Sequence, residues 1–438
     1  MEEPRKRIVV IGGGFAGLNF VKHIDASKFD VTLIDRNNYH SFPPLFYQVA
    51  SSGLDPSSIC FPLRRELRKR HKARVSYNMG EVQEIDVARR TVRTSMETVP
   101  FDFLIVAAGT TNNFFNMPQL VDSVFTIKST PEALRCRNEV LSLLERASIE
   151  PNAEKRRALL NFVVVGGGPS GVEIAGALGE MKKYVLPREY PAISPDEISI
   201  TLVEGSGKVL GTMSGQSSAA AAKSLRDLMV DLRFGANMTS YSDNIIHLSD
   251  GSELPASMVI WTAGVTAEGF NFTSSGEPLS QTLTGRGGRL IVDRFSRVNG
   301  LRNIFAIGDI SIVEGDPEYP GGHPQLAQVA IQQGRALARN LNSDSADSGE
   351  WKPFRYDDKG SMATIGRNRA VVDMKHLHFH GFMAWLVWMF IHLISILGMR
   401  NKIAVLLNWI WAYFNYSTSL RLLIGPSRHP RRDTLFFQ

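Results

Sequence analysis

Two stretches of the chain repeat the same order of hydrophobic, glycine-rich and helical segments. Residues 7–11 and 161–165 are apolar runs that fit strands buried on both faces, and each continues through clustered glycines into a helical pattern. A second matching pair, residues 103–109 and 258–264, has nearly the same offset of about 155 residues. Two matches at one offset indicate a duplicated βαβ unit.

The glycines of both copies have the spacing of a dinucleotide-binding turn. The first glycine of this GxGxxG pattern allows a tight turn, the second lets the backbone approach a pyrophosphate, and the third lets the helix pack on the strand. The helix that follows offers free N–H groups to the phosphates. The glycines are Gly12, Gly14 and Gly17 in the first copy and Gly166, Gly168 and Gly171 in the second.

An acidic residue ends the second predicted strand of each copy. Asp35 closes strand 30–35, and Glu204 closes strand 198–204. A carboxylate at this point accepts hydrogen bonds from a ribose 2′-hydroxyl and repels a 2′-phosphate. Glu204 follows its glycines later than the usual spacing of about 20 residues. Three prolines within 182–196 account for the extra length and predict a longer helix followed by a loop.

Composition places the chain among ordered globular proteins. It has 438 residues, of which 43% are hydrophobic and 21% charged, so disorder and coiled coil are excluded. Cys60 and Cys136 are too few for a disulfide framework, a CxxC pair or a thiolate metal cage. The net charge of +6 arises in residues 374–432, which contain no acid, so it does not indicate a nucleic-acid partner.

A later apolar strand ends in a Gly-Asp pair. The strand is Asn303–Asp309, and a predicted helix at 325–340 follows shortly after it. This segment resembles the closing part of the FAD domain in two-dinucleotide flavoproteins, where the aspartate meets the ribityl and phosphate groups of the flavin. The resemblance implies that the first copy binds FAD, non-covalently, and that the second binds NADH as a substrate.

Two further motifs resemble the type II NADH dehydrogenases, the single-chain NADH:quinone oxidoreductases. They are YHSFPPLFYQVASSGL at residues 39–54 and the more specific AQVAIQ at residues 327–332. The resemblance covers the chain from its first strand to the apolar tail. It implies an α/β fold of two Rossmann-type dinucleotide-binding domains and a C-terminal amphipathic helical membrane-anchoring region. It also implies FAD-dependent oxidation of NADH with two-electron reduction of a membrane quinone and no proton translocation.

The resemblance and the glycine patterns together define the expected binding residues. For FAD they are Gly12, Gly14, Phe15, Gly17, Asp35, Arg36, Gly109, Asp309 and Ala327, and for NADH they are Gly166, Gly168, Gly171, Glu204 and Gly264. Gln328 and Gln332 are four residues apart and share one helix face, where their amides are expected to bind quinone carbonyls. The other interpretation of this pair is a solvated helix face.

Glu173 follows the second glycine motif, in the first turn of a predicted helix. The resemblance implies that it lies near the flavin and the quinone as a catalytic residue that handles protons. Its alternative role is to complement the helix dipole. His376, His378 and His380 alternate along the chain, but no carboxylate or thiol lies in about fifty residues after them, so no metal site is expected.

The tail contains two apolar runs, at residues 381–398 and 403–416, with four of the six tryptophans. As a helix the first reaches about 27 Å, just short of a hydrocarbon core, and the second is shorter. We therefore expect helices that lie in the membrane interface, with Arg400, Lys402 and Arg421 at anionic headgroups. Buried core or dimer helices are the alternative.

The predicted domains are an FAD domain at 1–118 and 265–345, an NADH domain at 119–264 and a membrane-anchoring region at 346–438. A polar stretch at 342–350 is typical of a linker. Because the N-terminal residues lack the apolar core of a secretory signal, we expect the protein to stay in the cytoplasm. Together with the interfacial tail helices, this predicts a peripheral, monotopic protein on the cytoplasmic face of the cell membrane. Besides NADH, quinone and lipid, a homodimer is considered as a partner state.

Two other functions stay open on the sequence alone. A sulfide:quinone oxidoreductase shares the scaffold and the anchor, but its chemistry needs paired cysteines beside the flavin, and Cys60 and Cys136 match no such position. An NADH-sensing flavoprotein would turn over slowly with every quinone and would leave lipid in response to NADH.

Overall fold

The computed structural model describes residues 5–71, 74–279, 282–343, 351–415 and 420–423. Most of the predicted linker, from 344 to 350, lies outside them. The helices are α1 (Phe15–His23), α2 (Phe46–Ala50), α3 (Leu63–His71), α4 (Thr130–Ile149), α5 (Ala153–Leu159), α6 (Pro169–Glu180), α7 (Leu186–Glu189), α8 (Gly215–Asp227), α9 (Ala327–Asn342), α10 (Phe382–Ser395) and α11 (Met399–Asn415).

The strands are interspersed with the helices along the chain. They are β1 (Lys6–Ile11), β2 (Phe29–Asp35), β3 (Tyr39–Ser41), β4 (Cys60–Pro62), β5 (Val75–Met79), β6 (Val82–Asp86), β7 (Thr91–Thr94), β8 (Thr98–Pro100), β9 (Phe103–Val106), β10 (Thr110–Asn112), β11 (Asn161–Val165), β12 (Ser199–Glu204), β13 (Asp231–Phe234), β14 (Met238–Ser242), β15 (Ile245–Leu248), β16 (Glu253–Pro255), β17 (Met258–Trp261), β18 (Val265–Ala267), β19 (Phe272–Ser274), β20 (Glu277–Pro278), β21 (Leu290–Val292), β22 (Ile304–Ala306), β23 (Ser311–Val313), β24 (Ser361–Gly366), β25 (Arg369–Asp373) and β26 (His378–Gly381).

The chain divides into two compact units. The first unit contains the described residues up to Ser41, together with Cys60–Asn113 and Val265–Lys359. The second contains Phe42–Ile59, Phe114–Gly264 and the described residues from Gly360 onward. The two units are defined by which residues pack together, and this does not show which nucleotide each unit binds. The assignment of FAD, NADH and membrane regions therefore stays a prediction.

The first unit is built on a parallel sheet of five strands in the order β22-β9-β1-β2-β5. The central strand β1 pairs with β2 and β9, and its apolar residues from Ile8 to Ile11 are at most 4% exposed. Burial of each such Val or Ile side chain stabilises the fold by about 1.5–3 kcal/mol. A second, mixed sheet in this unit has the order β20-β19-β6-β7-β8.

The second unit repeats this arrangement with the strand order β17-β11-β12-β13. Here β11 takes the place of β1, with β12 and β17 as its parallel neighbours. The order therefore matches β9-β1-β2-β5 strand for strand, which confirms the duplicated unit and the Rossmann-type fold class. The long connection after the second glycine turn continues α6 through a π-helical turn at Met181–Val185 into α7, as the late position of Glu204 predicted.

The second unit also contains an antiparallel sheet, β24-β25-β26, that the sequence patterns did not predict. Helix α6 packs directly on β24, because a Cβ at Gly176 would lie 1.9 Å from the carbonyl oxygen of Ile365. At the end of the helix, the carboxylate of Glu180 accepts a hydrogen bond from the backbone N–H of Arg367 at 2.6 Å. The sheet therefore links α6 to the tail.

The tail of the second unit forms α10 and α11. Helix α10 has 14 residues and α11 has 17, and a positive φ of 78° at Gly398 allows the turn between them. Within the part of the chain that the structure describes, no helix has the length and apolarity needed to cross a membrane. Within the apolar run at 381–398, the helix begins at Phe382 and ends at Ser395.

Candidate functional site

The first glycine turn, between β1 and α1, has the geometry that its three glycines require. Gly12 has φ +101°, and a Cβ at Gly17 would lie 2.0 Å from the Gly12 carbonyl oxygen. A Cβ at Gly14 would meet nothing within 4 Å, so the space beside this residue is open. Gly14 is also the N-cap of α1 and provides no side-chain cap, so this helix N-terminus suits an anion.

The second glycine turn, between β11 and α6, has the same geometry. Gly166 has φ +109°, and a Cβ at Gly171 would lie 1.8 Å from the Gly166 carbonyl oxygen. Gly168 is the N-cap of α6, has open space beside it and carries no side-chain cap. Both turns therefore offer a cradle of backbone N–H groups for a phosphate.

The two predicted ribose carboxylates lie beside these turns. Asp35 accepts hydrogen bonds from the N–H groups of Gly13 and Asn37, both at 2.7 Å. Burial raises the pKa of Asp35, and these hydrogen bonds oppose the shift. Glu204 accepts hydrogen bonds from Gly167 N–H at 2.6 Å and Ser206 N–H at 2.8 Å.

A third loop of the first unit, at Gly308–Ile310, reaches the same region as α1. Gly308 has φ +78°, and a Cβ there would lie 2.9 Å from the Cβ of Ala16. Its N–H donates to the Gln333 side chain at 2.6 Å, which fixes the loop on α9. Asp309 is thus held between the start of α1 and α9, and the carbonyl of Asp309 accepts from Gln325 at 3.0 Å.

The remaining FAD candidates lie on the edges of this region. Phe15 begins α1, and Ala327 begins α9, whose N-cap Leu326 provides no side-chain cap. The exposed Arg36 lies 3.6 Å from the Glu268 carboxylate. Gly109 has φ +75° with open space beside it.

The two predicted quinone glutamines bind backbone groups of the segment that follows α9. Gln332 donates from Nε2 to the Asp357 carbonyl at 2.9 Å and accepts from Asp357 N–H through Oε1 at 2.9 Å. Gln328 accepts from Lys359 N–H at 3.2 Å. Both amides therefore hold this segment against α9, and Gln332 does so through both its amide nitrogen and its amide oxygen.

Glu173 is a buried side chain of α6, 8% exposed. Burial raises the pKa of Glu173 well above its usual range, opposed by a hydrogen bond from the backbone of Thr364. Tyr47 is near enough for Glu173 to help raise the pKa of its phenol, although burial is the larger cause. A carboxyl group whose pKa is raised by burial keeps its proton to a higher pH than an exposed glutamate does.

Tyr47 begins a chain of aromatic and amide contacts in the second unit that the sequence patterns did not single out. Gln48 donates to the Tyr47 hydroxyl at 2.7 Å and accepts from the Trp409 indole at 2.8 Å. Trp388, 1% exposed, lies 6.4 Å from Tyr47 and stacks on His392 with ring centroids 4.1 Å apart. The motif at 39–54 contained Tyr47 and Gln48, but no spacing rule pointed to their partners in the tail.

Large apolar side chains cover the outer face of α10 and α11. Phe390, Trp411 and Phe414 are 62%, 63% and 75% exposed, while Trp388 and Val405 hold the helices to the unit. The other exposed members are Phe382, Met383, Leu386, Ile391, Ile394, Met399, Ile403, Leu406, Leu407 and Ile410. We call this set the tail face.

The predicted cations of the tail have different surroundings. Arg421 is paired with Glu189, and Lys402 donates to the carbonyl of Ile394 at 2.6 Å. Arg400 is exposed. Arg400 is thus the member of the three whose position at the surface matches the predicted contact with headgroups.

The alternating histidines lie on or beside β26. His378 lies 3.0 Å from the Asp373 carboxylate, which also accepts hydrogen bonds from Ser214 and Ser217 at the start of α8. In the described ranges, no group of three or more His, Cys, Asp or Glu side chains is arranged to hold a metal ion. Asp373 therefore connects the β24–β26 sheet to α8 through hydrogen bonds.

The chain matches two family models. Residues 6–334 match the pyridine nucleotide-disulphide oxidoreductase family, and residues 359–415 match the NDH2 C-terminal domain. The first match covers both glycine turns, and the second covers the β24–β26 sheet, α10 and α11.

Curated proteins and solved structures give the same result. A type II NADH:quinone oxidoreductase of Mycobacterium tuberculosis is 35% identical over 93% of this chain and 88% of its own. The NDH2 structure of Plasmodium falciparum in complex with NADH has a TM-score of 0.87 at 21% identity, covering 96% of this chain and 100% of that one. A sulfide:quinone oxidoreductase from Aquifex aeolicus has a TM-score of 0.72 at 18% identity, covering 91% and 92% of the two chains, so the fold is shared with that class.

Proposed function

The chain belongs to the type II NADH:quinone oxidoreductases, and from this membership we propose that it oxidises NADH with bound FAD and reduces a membrane quinone by two electrons, without proton translocation. The observation that carries the proposal is the duplication of one phosphate cradle. Each copy joins an open glycine turn, an uncapped helix N-terminus and a carboxylate at the end of the next strand.

The residues of the first unit fit FAD. The open space at Gly14 and the uncapped N-terminus of α1 suit a pyrophosphate, and Asp35 suits the adenosine ribose. Asp309 would bind the ribityl and phosphate groups, and the start of α9 at Ala327 would direct its positive end to the flavin ring. FAD, when bound, supplies the chemistry of accepting a hydride and passing two electrons on.

The residues of the second unit fit NADH. Gly168 and the start of α6 would bind the pyrophosphate, and Glu204 would accept hydrogen bonds from the ribose hydroxyls. A 2′-phosphate would meet the negative charge of Glu204, so NADH is the expected substrate and not NADPH. Gly264, which immediately precedes β18, is the remaining candidate for contact with NADH.

Glu173 and the α9 glutamines are the proposed groups for the quinone. The raised pKa of Glu173 favours its protonated form, which suits a group that protonates a reduced quinone. Gln328 and Gln332 are the proposed contacts to the quinone carbonyls. Gln332 also pairs with the backbone of Asp357 through both of its amide atoms.

The tail face is the proposed membrane contact. Its exposed Phe, Trp, Leu and Ile side chains would enter the interface of the lipid bilayer, with Arg400 among the headgroups. The protein would then be peripheral, on the cytoplasmic face of the membrane, where an apolar quinone is dissolved. Residues 1–118 with 265–345 would bind FAD, 119–264 would bind NADH and 346–438 would attach to lipid.

The test is an anaerobic absorbance titration of detergent-purified protein. We expect flavin bands that bleach with one equivalent of NADH and return when a short-chain quinone is added. Bleaching without recovery would favour the NADH-sensing alternative, and absence of flavin would overturn the proposal. The sulfide:quinone alternative is weakened by Cys136, since burial raises the pKa of its thiol to about 12 and suppresses the thiolate that this chemistry needs.

A further inference from the structure

Gly13 lies between Gly12 and Gly14 in the first turn, and its two peptide groups make hydrogen bonds with different side chains. Gly13 N–H, part of the peptide between residues 12 and 13, donates to Asp35 at 2.7 Å. The Gly13 carbonyl, part of the next peptide, lies 2.8 Å from Nδ1 of His40. A carbonyl oxygen can only accept, so Nδ1 carries the proton in this contact.

His40 is held in place for this contact. It lies on β3, opposite Phe61 of β4, and is 4% exposed. The Phe15 ring packs edge to face against its imidazole, with centroids 5.3 Å apart and planes at 77°. Burial lowers the pKa of His40, so the ring is neutral at physiological pH, with its proton on Nδ1.

The His40 contact determines where the next N–H group points. A peptide unit is planar, and in the trans form its C=O and N–H point in opposite directions. When the Gly13 carbonyl is held toward His40, the N–H of Gly14 is therefore directed to the other side of the turn. Gly14 is the residue with open space beside it, at the uncapped start of α1.

The second copy holds the equivalent peptide without a side chain. There the Gly167 carbonyl accepts from the backbone N–H of Leu210 at 2.7 Å. The carboxylate contact to the preceding peptide is the same in both copies, with Glu204 in the place of Asp35. The Gly13 and Gly167 carbonyls thus have different partners, and a side-chain substitution can remove this hydrogen bond only in the first copy.

We propose that His40 is a positioning residue for the resident dinucleotide: its Nδ1–H bond to Gly13 fixes the Gly13–Gly14 peptide so that Gly14 N–H is preorganised for the FAD pyrophosphate. This inference rests on the proposed function, which assigns FAD to the first copy. It adds that the resident flavin depends on a side chain of the 39–54 motif that the glycine pattern does not include.

The test compares His40→Asn, His40→Gln and His40→Leu as apoproteins. The amide nitrogen of Asn stands near the place of Nδ1, whereas that of Gln reaches the place of Nε2. We expect FAD binding, measured by quenching of flavin fluorescence, to weaken about tenfold in H40L and H40Q, the effect of one lost buried hydrogen bond, and to stay within about threefold of wild type in H40N. The exposed His23, on α1 of the same unit, supplies the control H23L with unchanged affinity.

Thermal unfolding of the apoproteins separates positioning from folding. H40N and H40Q should unfold at similar temperatures while their FAD affinities differ. Equal affinities in H40N and H40Q, whether retained or lost, would overturn the role of His40, as would wild-type affinity in H40L or failure of both polar variants to fold. Wild-type protein without affinity for FAD would instead overturn the proposed function itself.

Discussion

Asp35 and Glu204 make the same hydrogen bond in the two halves of the molecule. Asp35 Oδ2 accepts from Gly13 N–H at 2.7 Å, and Glu204 Oε2 accepts from Gly167 N–H at 2.6 Å. Each carboxylate therefore braces the glycine turn of its own copy at the end of the second strand. In the proposed complexes each would also receive ribose hydroxyls, so one side chain couples the shape of the phosphate cradle to the choice of nucleotide.

Glu204→Arg should change the nucleotide preference. The substitution removes the acceptor for the ribose hydroxyls and adds a cation that can bind a 2′-phosphate. We expect kcat/KM for NADH to fall at least about tenfold, the effect of losing hydrogen bonds to a charged group, and kcat/KM for NADPH to rise. Steady-state rates with both nucleotides measure it.

Glu253→Arg is a matched control for this prediction. Glu253 is exposed on β16 of the same unit, so the substitution makes the same change of charge away from the glycine turn. A ratio of NADPH to NADH activity that stays at the wild-type value in E204R would contradict the assignment of Glu204. A ratio that changes equally in E253R would attribute the effect to net charge alone.

The duplicated core could be predicted because its signals are local and periodic. Buried parallel strands are continuous apolar runs, and glycines that avoid a backbone clash recur at fixed spacing, so Gly12, Gly17, Gly166 and Gly171 could be assigned from the sequence. The contacts that complete the site could not, because each joins a side chain to a distant backbone group. Gln332 with Asp357 and Glu173 with Thr364 are examples, and no periodic pattern encodes such partners.

The sequence patterns do not predict the β24–β26 sheet, for a related reason. Its short strands include Gly366 and Gly381, and they precede α10, whose apolar run is the strongest hydrophobic pattern in the tail. The strand pairing, not the propensity of each segment, stabilises them. The hydrophobic pattern of the tail therefore predicts helices alone.

Gln328→Leu should slow the quinone half-reaction selectively. The substitution removes the amide that we propose as the carbonyl contact, so KM for a short-chain quinone should rise about tenfold. The NADH-dependent bleaching of the flavin should keep its wild-type rate in stopped-flow experiments. Gln216→Leu, on the exposed side of α8, is the control. An equal slowing of both half-reactions in Q328L would point to a structural role instead.

The tail face should govern binding to lipid. Replacing Trp411 and Phe414 by serine removes two exposed aromatic side chains at little expected loss of folding stability. Each should contribute about 1.5–3 kcal/mol when buried in lipid, so vesicle sedimentation should show a loss of binding of at least about tenfold. Ile149→Ser, at an apolar side chain that is 82% exposed on α4 of the same unit, is the control. Unchanged binding of W411S/F414S would exclude this face as the membrane contact.

Glu173→Gln should make stability less dependent on pH. Burial raises the folded-state pKa of Glu173. The contribution of this group to the free energy of unfolding is therefore greatest below the ordinary Glu pKa of about 4.3. Above that pH the unfolded chain gains stability by losing the proton, and the folded protein loses about 1.4 kcal/mol per pH unit until its own pKa is reached. Glutamine cannot ionise, and its Oε1 can still accept from the Thr364 backbone. The free energy of unfolding of E173Q relative to wild type should therefore rise with pH.

Urea unfolding from pH 5 to pH 8 measures this difference between E173Q and wild type. Glu277→Gln is the matched control, since Glu277 is exposed on β20 and its removal should give a difference that does not vary with pH. A constant difference for E173Q would mean that Glu173 is ionised in the folded protein across this range. In that case it could not hold a proton for the quinone at neutral pH, and its proposed role would fail while the assignment of the two dinucleotide sites would stand.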